Sequence, residues 1–198
     1  MKLIDRINIY RIFVKHFETL YDYGKFKVSG KKVMPWSDRI VFLFLPVIIA
    51  VSLFLIGIRI TEDYINILIT SLSIFVGLLF SLLTLIFDLG KKEKERKQEL
   101  GSKYQEDYKY ILIKELFINI SFSIALSIIS ILFLLSTQFH PALIINFLKQ
   151  YSCFNYLRVG YLATTTIISF TLIVEFALLL LMILKRFFLI YLNQFEEE

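Results

Sequence analysis

Glu175 is an acidic residue that lies deep within a long apolar segment of this sequence. It precedes Lys185 by ten residues, which is about 15 Å along an α-helix and places it near the middle of a membrane-spanning segment. A carboxylate at that depth must face protein or water, or be protonated. It could serve as an ion or proton site, as a switch that senses the membrane, or only as a hydrogen-bonding group that fixes helix assembly. Depth alone predicts Ser81 and Ser123 as its partners.

The second apolar segment carries a stripe of small and polar residues on one helical face. Within it, Ser73, Gly77 and Ser81 form a small-xxx-small pattern that permits close approach of another helix. A similar stripe follows on the third segment. The simplest interpretation is that the two faces pack on each other; the alternative is a narrow polar lining at the axis of an oligomer. The full stripes are Thr70, Ser73, Gly77, Ser81, Thr84 and Asp88, and Asn119, Ser123, Ser127 and Ser130.

Recognisable catalytic motifs are missing from the sequence. It has no GxSxG, HExxH, CxxC or GxGxxG pattern. Cys153 is the single cysteine, and the two histidines, His16 and His140, are predicted on opposite sides of a membrane. We therefore expect a protein that is not an enzyme and that binds no metal and no cofactor.

The elements that position these residues are long apolar segments. Of the 198 residues, 57% are hydrophobic, and the mean hydropathy is +0.69. Four stretches are long enough to cross a hydrocarbon core of roughly 30 Å. They cover 40–60, 65–89, 111–136 and 159–184. The sequence predicts an all-α, polytopic membrane protein with four transmembrane helices plus an N-terminal amphipathic helix.

Lysine and arginine are distributed unevenly between the predicted loops. Nine precede residue 40 and eight lie from Lys91 to Lys114, whereas the turn between the first two spans has only Arg59. The positive-inside rule then places the N-terminus, the middle loop and the C-terminus in the cytoplasm. We expect a multi-pass protein of a bacterial inner membrane.

Residues 1–39 are predicted to form a cytoplasmic amphipathic helix followed by a basic hinge. An apolar stripe could lie on the inner leaflet or a partner, or pack against the protein's own loop; it comprises Leu3, Ile7, Tyr10, Val14, Phe17 and Tyr21. Trp36 is predicted to be an interfacial anchor. Four lysines of the hinge are expected to contact anionic lipid headgroups: Lys25, Lys27, Lys31 and Lys32.

Residues 40–198 are predicted to form the four-helix transmembrane domain, with a charged cytoplasmic hairpin near 89–110. The second and third helices would extend beyond the membrane and be interrupted at Gly101-Ser102. Lys91 and Lys92 would contact lipid or a partner there, although a charge run is also typical of a solvated helix face.

The basic amphipathic N-terminus, MPWSDRIVFLFLPVIIA leading into the first span, and the charged loop after FDLGKKEKERK resemble KwaA, the membrane-subunit family of the Kiwa anti-phage defence system. The resemblance covers the whole chain and rests on its architecture. It implies an inner-membrane sensor that oligomerises, with a tetramer suspected, and recruits a KwaB-like cytoplasmic DNA-binding partner. Direct contact of this chain with nucleic acid is not expected.

Two other functions stay open. The chain could be a pore-forming or membrane-depolarising effector, with the stripe of the second segment as its lining. A small transporter subunit is disfavoured, because no inverted repeat and no helix broken by paired glycine and proline is found.

Overall fold

The structure is a computed structural model that describes residues 9–21, 34–100, 108–138 and 154–196. These residues are helical, with short connections and no strand among them, so the predicted all-α class is confirmed. The helices are α1 (Ile9–Thr19), α2 (Trp36–Arg39), a π-helical turn (Ile40–Phe44), α3 (Leu45–Leu55), α4 (Glu62–Leu100), α5 (Tyr108–Gln138) and α6 (Phe154–Glu196).

Four helical segments in the described part of the chain are long and apolar enough to span a membrane. They are Trp36–Leu55, Glu62–Arg96, Lys109–Gln138 and Val159–Leu192. Their number agrees with the sequence prediction, and the chain is a membrane-embedded protein. The ends of these spans near Trp36, Arg96, Lys109 and Leu192 lie at one end of the bundle, which we call the basic end; it is the end predicted to be cytoplasmic.

The first span is shorter at its far end than predicted, because Gly57 stops the helix at Leu55. Gly57 has φ +92°, the left-handed conformation that glycine adopts without steric cost. The Ile58 N–H donates to Leu53 O at 3.1 Å and the Gly57 N–H donates to Phe54 O at 3.0 Å, which is the Schellman pattern of helix termination.

Pro46 lies where the first span departs from regular α-helical geometry. It occupies the beginning of α3, and the π-helical turn Ile40–Phe44 directly precedes that helix. Since proline cannot donate the ordinary backbone hydrogen bond, the wider turn accommodates the change in the helix. The span therefore continues past Pro46 through a π-helical segment.

The helices α4 and α5 form an antiparallel hairpin with a seam of seven-residue periodicity. Ile65, Leu72, Leu79 and Ile86 are all buried, and this spacing is typical of coiled-coil packing. The hairpin is tied at both ends. Gln138 Nε2 donates to Asn66 Oδ1 at 3.1 Å, and at the basic end Lys109 Nζ lies 3.4 Å from Glu93 Oε1. Helix α4 continues to Leu100, well beyond its predicted apolar span, whereas α5 begins at Tyr108, only just before its own.

Helix α5 is the centre of the bundle. It packs against α4, α6 and α1, while α3 packs against α6. Half of its most apolar window is buried, against less than a quarter for the other three spans. The placement of α1 on α5 at the basic end creates the site described next.

Candidate functional site: a polar cluster at the basic end of the bundle

His16 is a buried side chain that joins α1 to the membrane-spanning helix α5. Only 1% of its surface is exposed. Its ring stacks on Phe122 with centroids 4.0 Å apart and planes 3° apart, and its Nδ1 lies 2.9 Å from Asn119 Oδ1. Phe13 meets the same Phe122 ring edge-on at 4.8 Å. Side chains on two turns of α1 thus contact Phe122 and Asn119 of α5.

Thr19 and Asn119 complete this contact, and their geometry indicates how the Asn119 amide is oriented. Thr19 Oγ1 lies 2.7 Å from His16 O and 2.9 Å from Asn119 Oδ1, but a hydroxyl has one proton to donate. With the amide turned by 180°, its nitrogen donates to both Thr19 Oγ1 and His16 Nδ1, and Thr19 donates to His16 O. This arrangement gives acceptors to both N–H groups of Asn119 Nδ2, which otherwise has no partner among the described residues, and it leaves the amide oxygen as the atom without one.

Arg186 of α6 extends the network to a third helix. Its Nη2 donates to Thr19 O at 2.8 Å, which is one of the last carbonyls of α1 and has no helical partner. The same Nη2 lies 3.4 Å from Glu115 Oε2 on α5, and both side chains are 13% exposed. His16, Thr19, Glu115, Asn119 and Arg186 are hereafter the polar cluster, which links α1, α5 and α6.

The imidazole of His16 is held in its neutral form. Burial is the main cause that lowers the pKa of His16, and the positive charge of Arg186 lowers it further. A hydrogen bond donated by the ring to the Asn119 amide oxygen would raise the pKa in part, and the balance of these effects places the pKa at about 4. The turned amide also favours the neutral ring, because Nδ1 accepts a hydrogen bond from the Asn119 amide nitrogen while Nε2 carries the ring hydrogen.

The predicted partners of Glu175 are wrong. Glu175 is half-buried on α6, and it forms no hydrogen bond or ion pair with another of the residues described. Ser123 is fully buried on α5, yet its Oγ has no hydrogen-bond partner in the described structure. Ser81 is exposed and donates to Gly77 O of its own helix at 3.2 Å. Matching depth did not imply contact, because it leaves the rotation of each helix undetermined.

The small stripe of α4 does not pack on the small stripe of α5. Ser73, Gly77 and Ser81 are exposed within the single chain, whereas the α5 residues Asn119 and Ser123 are completely buried. Helix α4 instead meets α5 through its seven-residue apolar seam. The predicted pairing of the two stripes is therefore wrong, and the α4 stripe is left on the outer surface of the chain.

The predicted lipid or partner contacts have mixed outcomes. Trp36 is 74% exposed at the start of the first span, the position expected of an interfacial anchor. Lys91 and Lys92 are exposed on the extension of α4, and Lys91 Nζ lies 3.9 Å from Glu95 Oε1. The four hinge lysines, the interruption at Gly101-Ser102 and the residues before Ile9 lie outside the described residues.

The sequence contained a signal for part of the polar cluster. Glu115 and Arg186 each lie six residues inside the basic end of their spans, counted from Lys109 and Leu192. Opposite charges at matching depth on antiparallel helices are candidates for an ion pair. His16 and Asn119 offered no comparable signal, because they are 103 residues apart and lie on helices of different kinds.

No protein family, curated protein or solved structure matches the chain.

Proposed function

We propose that this chain is a non-enzymatic membrane sensor and scaffold. It assembles with copies of itself through the exposed small-residue face of α4. It passes a change in the membrane to α1 and the α4–α5 hairpin, where a cytoplasmic partner docks. The observation that carries the proposal is the polar cluster, which ties a short helix outside the spans to two helices inside them.

The polar cluster supports a relay because its contacts are directional. Apolar packing tolerates sliding, whereas the His16–Asn119 contact at 2.9 Å and the Arg186–Thr19 contact at 2.8 Å require a particular rotation and height of α5 and α6. A small displacement of either span would break them. The free energy of α1 docking would thereby depend on how the spans are packed, which is the coupling that a membrane sensor needs.

The exposed face of α4 supports self-assembly more than a water-filled pore. Its hydroxyl groups already donate to backbone carbonyls of the same helix: Ser73 to Ile69 O at 2.8 Å and Ser81 to Gly77 O at 3.2 Å. These hydroxyl groups therefore do not require water as a hydrogen-bond acceptor. The face offers small side chains, and a Cβ added at Gly77 would meet no described residue of the chain within 4 Å. Small faces of this kind permit close packing of transmembrane helices.

The partner side of the proposal rests on where the exposed polar surface lies. The extension of α4 beyond its apolar part carries exposed charges of both signs, including Lys91, Lys92 and Glu95. The resemblance to the KwaA family adds the more specific proposal of a bacterial anti-phage complex with a KwaB-like DNA-binding protein. Under this proposal the partner, and not this chain, contacts nucleic acid.

The first experiment is purification of the tagged chain from its native host in mild detergent, followed by mass determination of the complex. We expect a homo-oligomer carrying a soluble protein in fixed stoichiometry. An Asn119→Ala variant, which loosens α1, should keep the oligomer and lose or weaken the soluble partner. Recovery of a monomer with no partner from wild type would refute the proposal.

Self-assembly has its own test with a matched control. Gly77→Leu places a bulky side chain on the small face of α4. Gly160→Leu makes the same change on α6, where an added Cβ also meets none of the described residues within 4 Å. We expect Gly77→Leu to shift the mass toward monomer and Gly160→Leu to leave it unchanged. Equal behaviour of the two variants would mean that the α4 face is not the interface.

The second candidate is a pore or membrane-depolarising effector. The observation in its favour is that Asp88 lies exposed on the same side of α4 as Ser81, at the basic end of the stripe. Ion flux in liposomes that Gly77→Leu abolishes and Gly160→Leu preserves would establish it. Absence of ion flux from the purified oligomer would refute the pore and favour the sensor proposal.

A further inference from the structure

A cavity of about 480 Å³ lies at the basic end, between α1, the first span, α5 and α6. Three members of the polar cluster line it: Thr19, Glu115 and Arg186. An apolar wall adjoins them, formed by Val41, Phe42, Leu178, Leu181 and Met182. Leu181 is 63% exposed, so this wall is accessible from outside the chain. The volume lies within the range of about 300–1,000 Å³ that is usual for sites of small molecules.

The charges of the cavity define what it could hold. The carboxylate of Glu115 compensates the guanidinium of Arg186 at 3.4 Å. Lys185 and Asp38 also line the cavity, and neither forms an ion pair within the described parts of the chain. A purely anionic ligand would be repelled by the carboxylate of Asp38, and a purely cationic ligand would be repelled by the ammonium of Lys185. The complementary ligand carries both charges.

The position of the cavity indicates the class of ligand. Asp38 follows the exposed Trp36 by two residues at the start of the first span, and Lys185 lies near the end of Val159–Leu192. Both therefore lie at the level where lipid headgroups meet the apolar core. The wall of leucine, valine and phenylalanine continues toward the middle of the spans. A hydrocarbon chain fits such a wall, and a soluble zwitterion would leave it uncovered.

We propose that this cavity binds one aminophospholipid, with the phosphate toward Lys185, the primary ammonium toward Asp38 and an acyl chain along the apolar wall. The occupant comes from the bilayer leaflet at the basic end. Because Thr19 and Arg186 belong to both the cavity and the polar cluster, a bound lipid also stabilises the docked α1. That consequence rests on the proposed relay function, whereas the binding itself does not.

The test is native mass spectrometry of the full chain exchanged with equal amounts of phosphatidylethanolamine, phosphatidylglycerol and phosphatidylcholine. Phosphatidylglycerol lacks the ammonium, and phosphatidylcholine lacks its N–H donors. We expect wild type to retain one phosphatidylethanolamine preferentially. Asp38→Asn should lower that retention by roughly ten- to a hundredfold relative to phosphatidylglycerol, the effect of losing one charge-assisted hydrogen bond. Lys185→Gln should lower the retention of all three lipids.

Matched controls make the same chemical changes away from the cavity. Lys94→Gln removes an exposed lysine from α4, and Asp63→Asn removes an exposed acid near the opposite end of the bundle. Both should retain phosphatidylethanolamine like wild type, and the melting temperature of each variant reports that it folds. Equal retention of the three lipids by wild type, or equal losses in cavity and control variants, would overturn the site. A selective lipid site in a chain that recruits no partner would leave the site standing and refute the relay.

Discussion

Protonation of His16 should release α1 from the bundle. In the docked state the pKa of His16 is lowered from 6.5 to about 4, chiefly by burial, and in the released state the ring is in water with its ordinary value. The docked state therefore binds fewer protons. Its stability is fully present above about pH 6.5 and is lost as the pH falls toward 4.

The size of the effect follows from the two pKa values. Lowering the pH to 5.5, one unit below the ordinary value, costs the docked state about 1.4 kcal/mol, or tenfold in the docking equilibrium. The whole window, from the ordinary pKa of 6.5 to about 4, is worth about 3 kcal/mol. The groups that face His16 are Arg186 and Asn119, with Glu115 beside Arg186. The positive charge of Arg186 opposes protonation, so it acts in the same direction as burial, and its effect is already included in the pKa of about 4.

Hydrogen exchange measured by mass spectrometry can follow this release. Exchange of the peptide covering 9–19 is compared with that of 91–96, the extension of α4, because the chemical rate of exchange itself depends on pH. We expect the ratio to rise about tenfold between pH 7 and pH 5.5 in wild type. His16→Asn keeps a polar nitrogen beside Asn119 but removes the titrating ring, and its ratio should stay constant. A constant ratio in wild type, or an equal rise in His16→Asn, would refute the reasoning.

Three further tests probe the buried polar contacts, and each is read from peptide exchange or the melting temperature in detergent. Asn119→Ala should increase exchange of α1 at pH 7, because it removes hydrogen bonds worth about 1–3 kcal/mol; unchanged exchange would exclude the amide as an anchor. Glu115→Leu alone should destabilise the chain more than Glu115→Leu combined with Arg186→Met, because the single change leaves one buried charge uncompensated; additive losses would contradict the ion pair. Glu93→Leu with Lys109→Met should leave the melting temperature unchanged or raise it, because leucine continues the apolar seam of α4, and a fall of several degrees would contradict this.

The helical architecture could be predicted from the sequence because a bilayer imposes simple length and hydropathy rules. Four apolar segments of sufficient length required four spans. The end of the first span could also have been predicted, because Gly57 follows an apolar run and adopts the left-handed conformation that ends α3. The prediction overlooked it by giving hydropathy more weight than the glycine.

The rotation of the helices could not be predicted on the same basis. Helix α4 carries two plausible faces, the seam around Leu72 and Leu79 and the small stripe around Gly77. In water, burial would favour the apolar one, but lipid tails are as apolar as leucine and remove that preference. The structure buries the leucine seam and exposes Gly77. The predicted contacts of Glu175 were wrong for the same reason, because each depended on choosing a face.

The two faces of α1 place it between the bundle and the bilayer surface. The predicted apolar stripe, with Tyr10, Val14 and Phe17, is the exposed side of the helix, and the docked side uses Phe13 and His16. Apolar residues that the protein leaves uncovered suit the interface of a membrane, since that interface covers them at little cost. Helix α1 then has two binding energies, one to α5 and one to lipid. Thinning or stretching the bilayer changes the binding energy of α1 to lipid directly. It changes the binding energy of α1 to α5 through the tilt of α5 and α6. Because the directional contacts of the polar cluster tolerate little tilt, docking should be lost before the bundle itself comes apart.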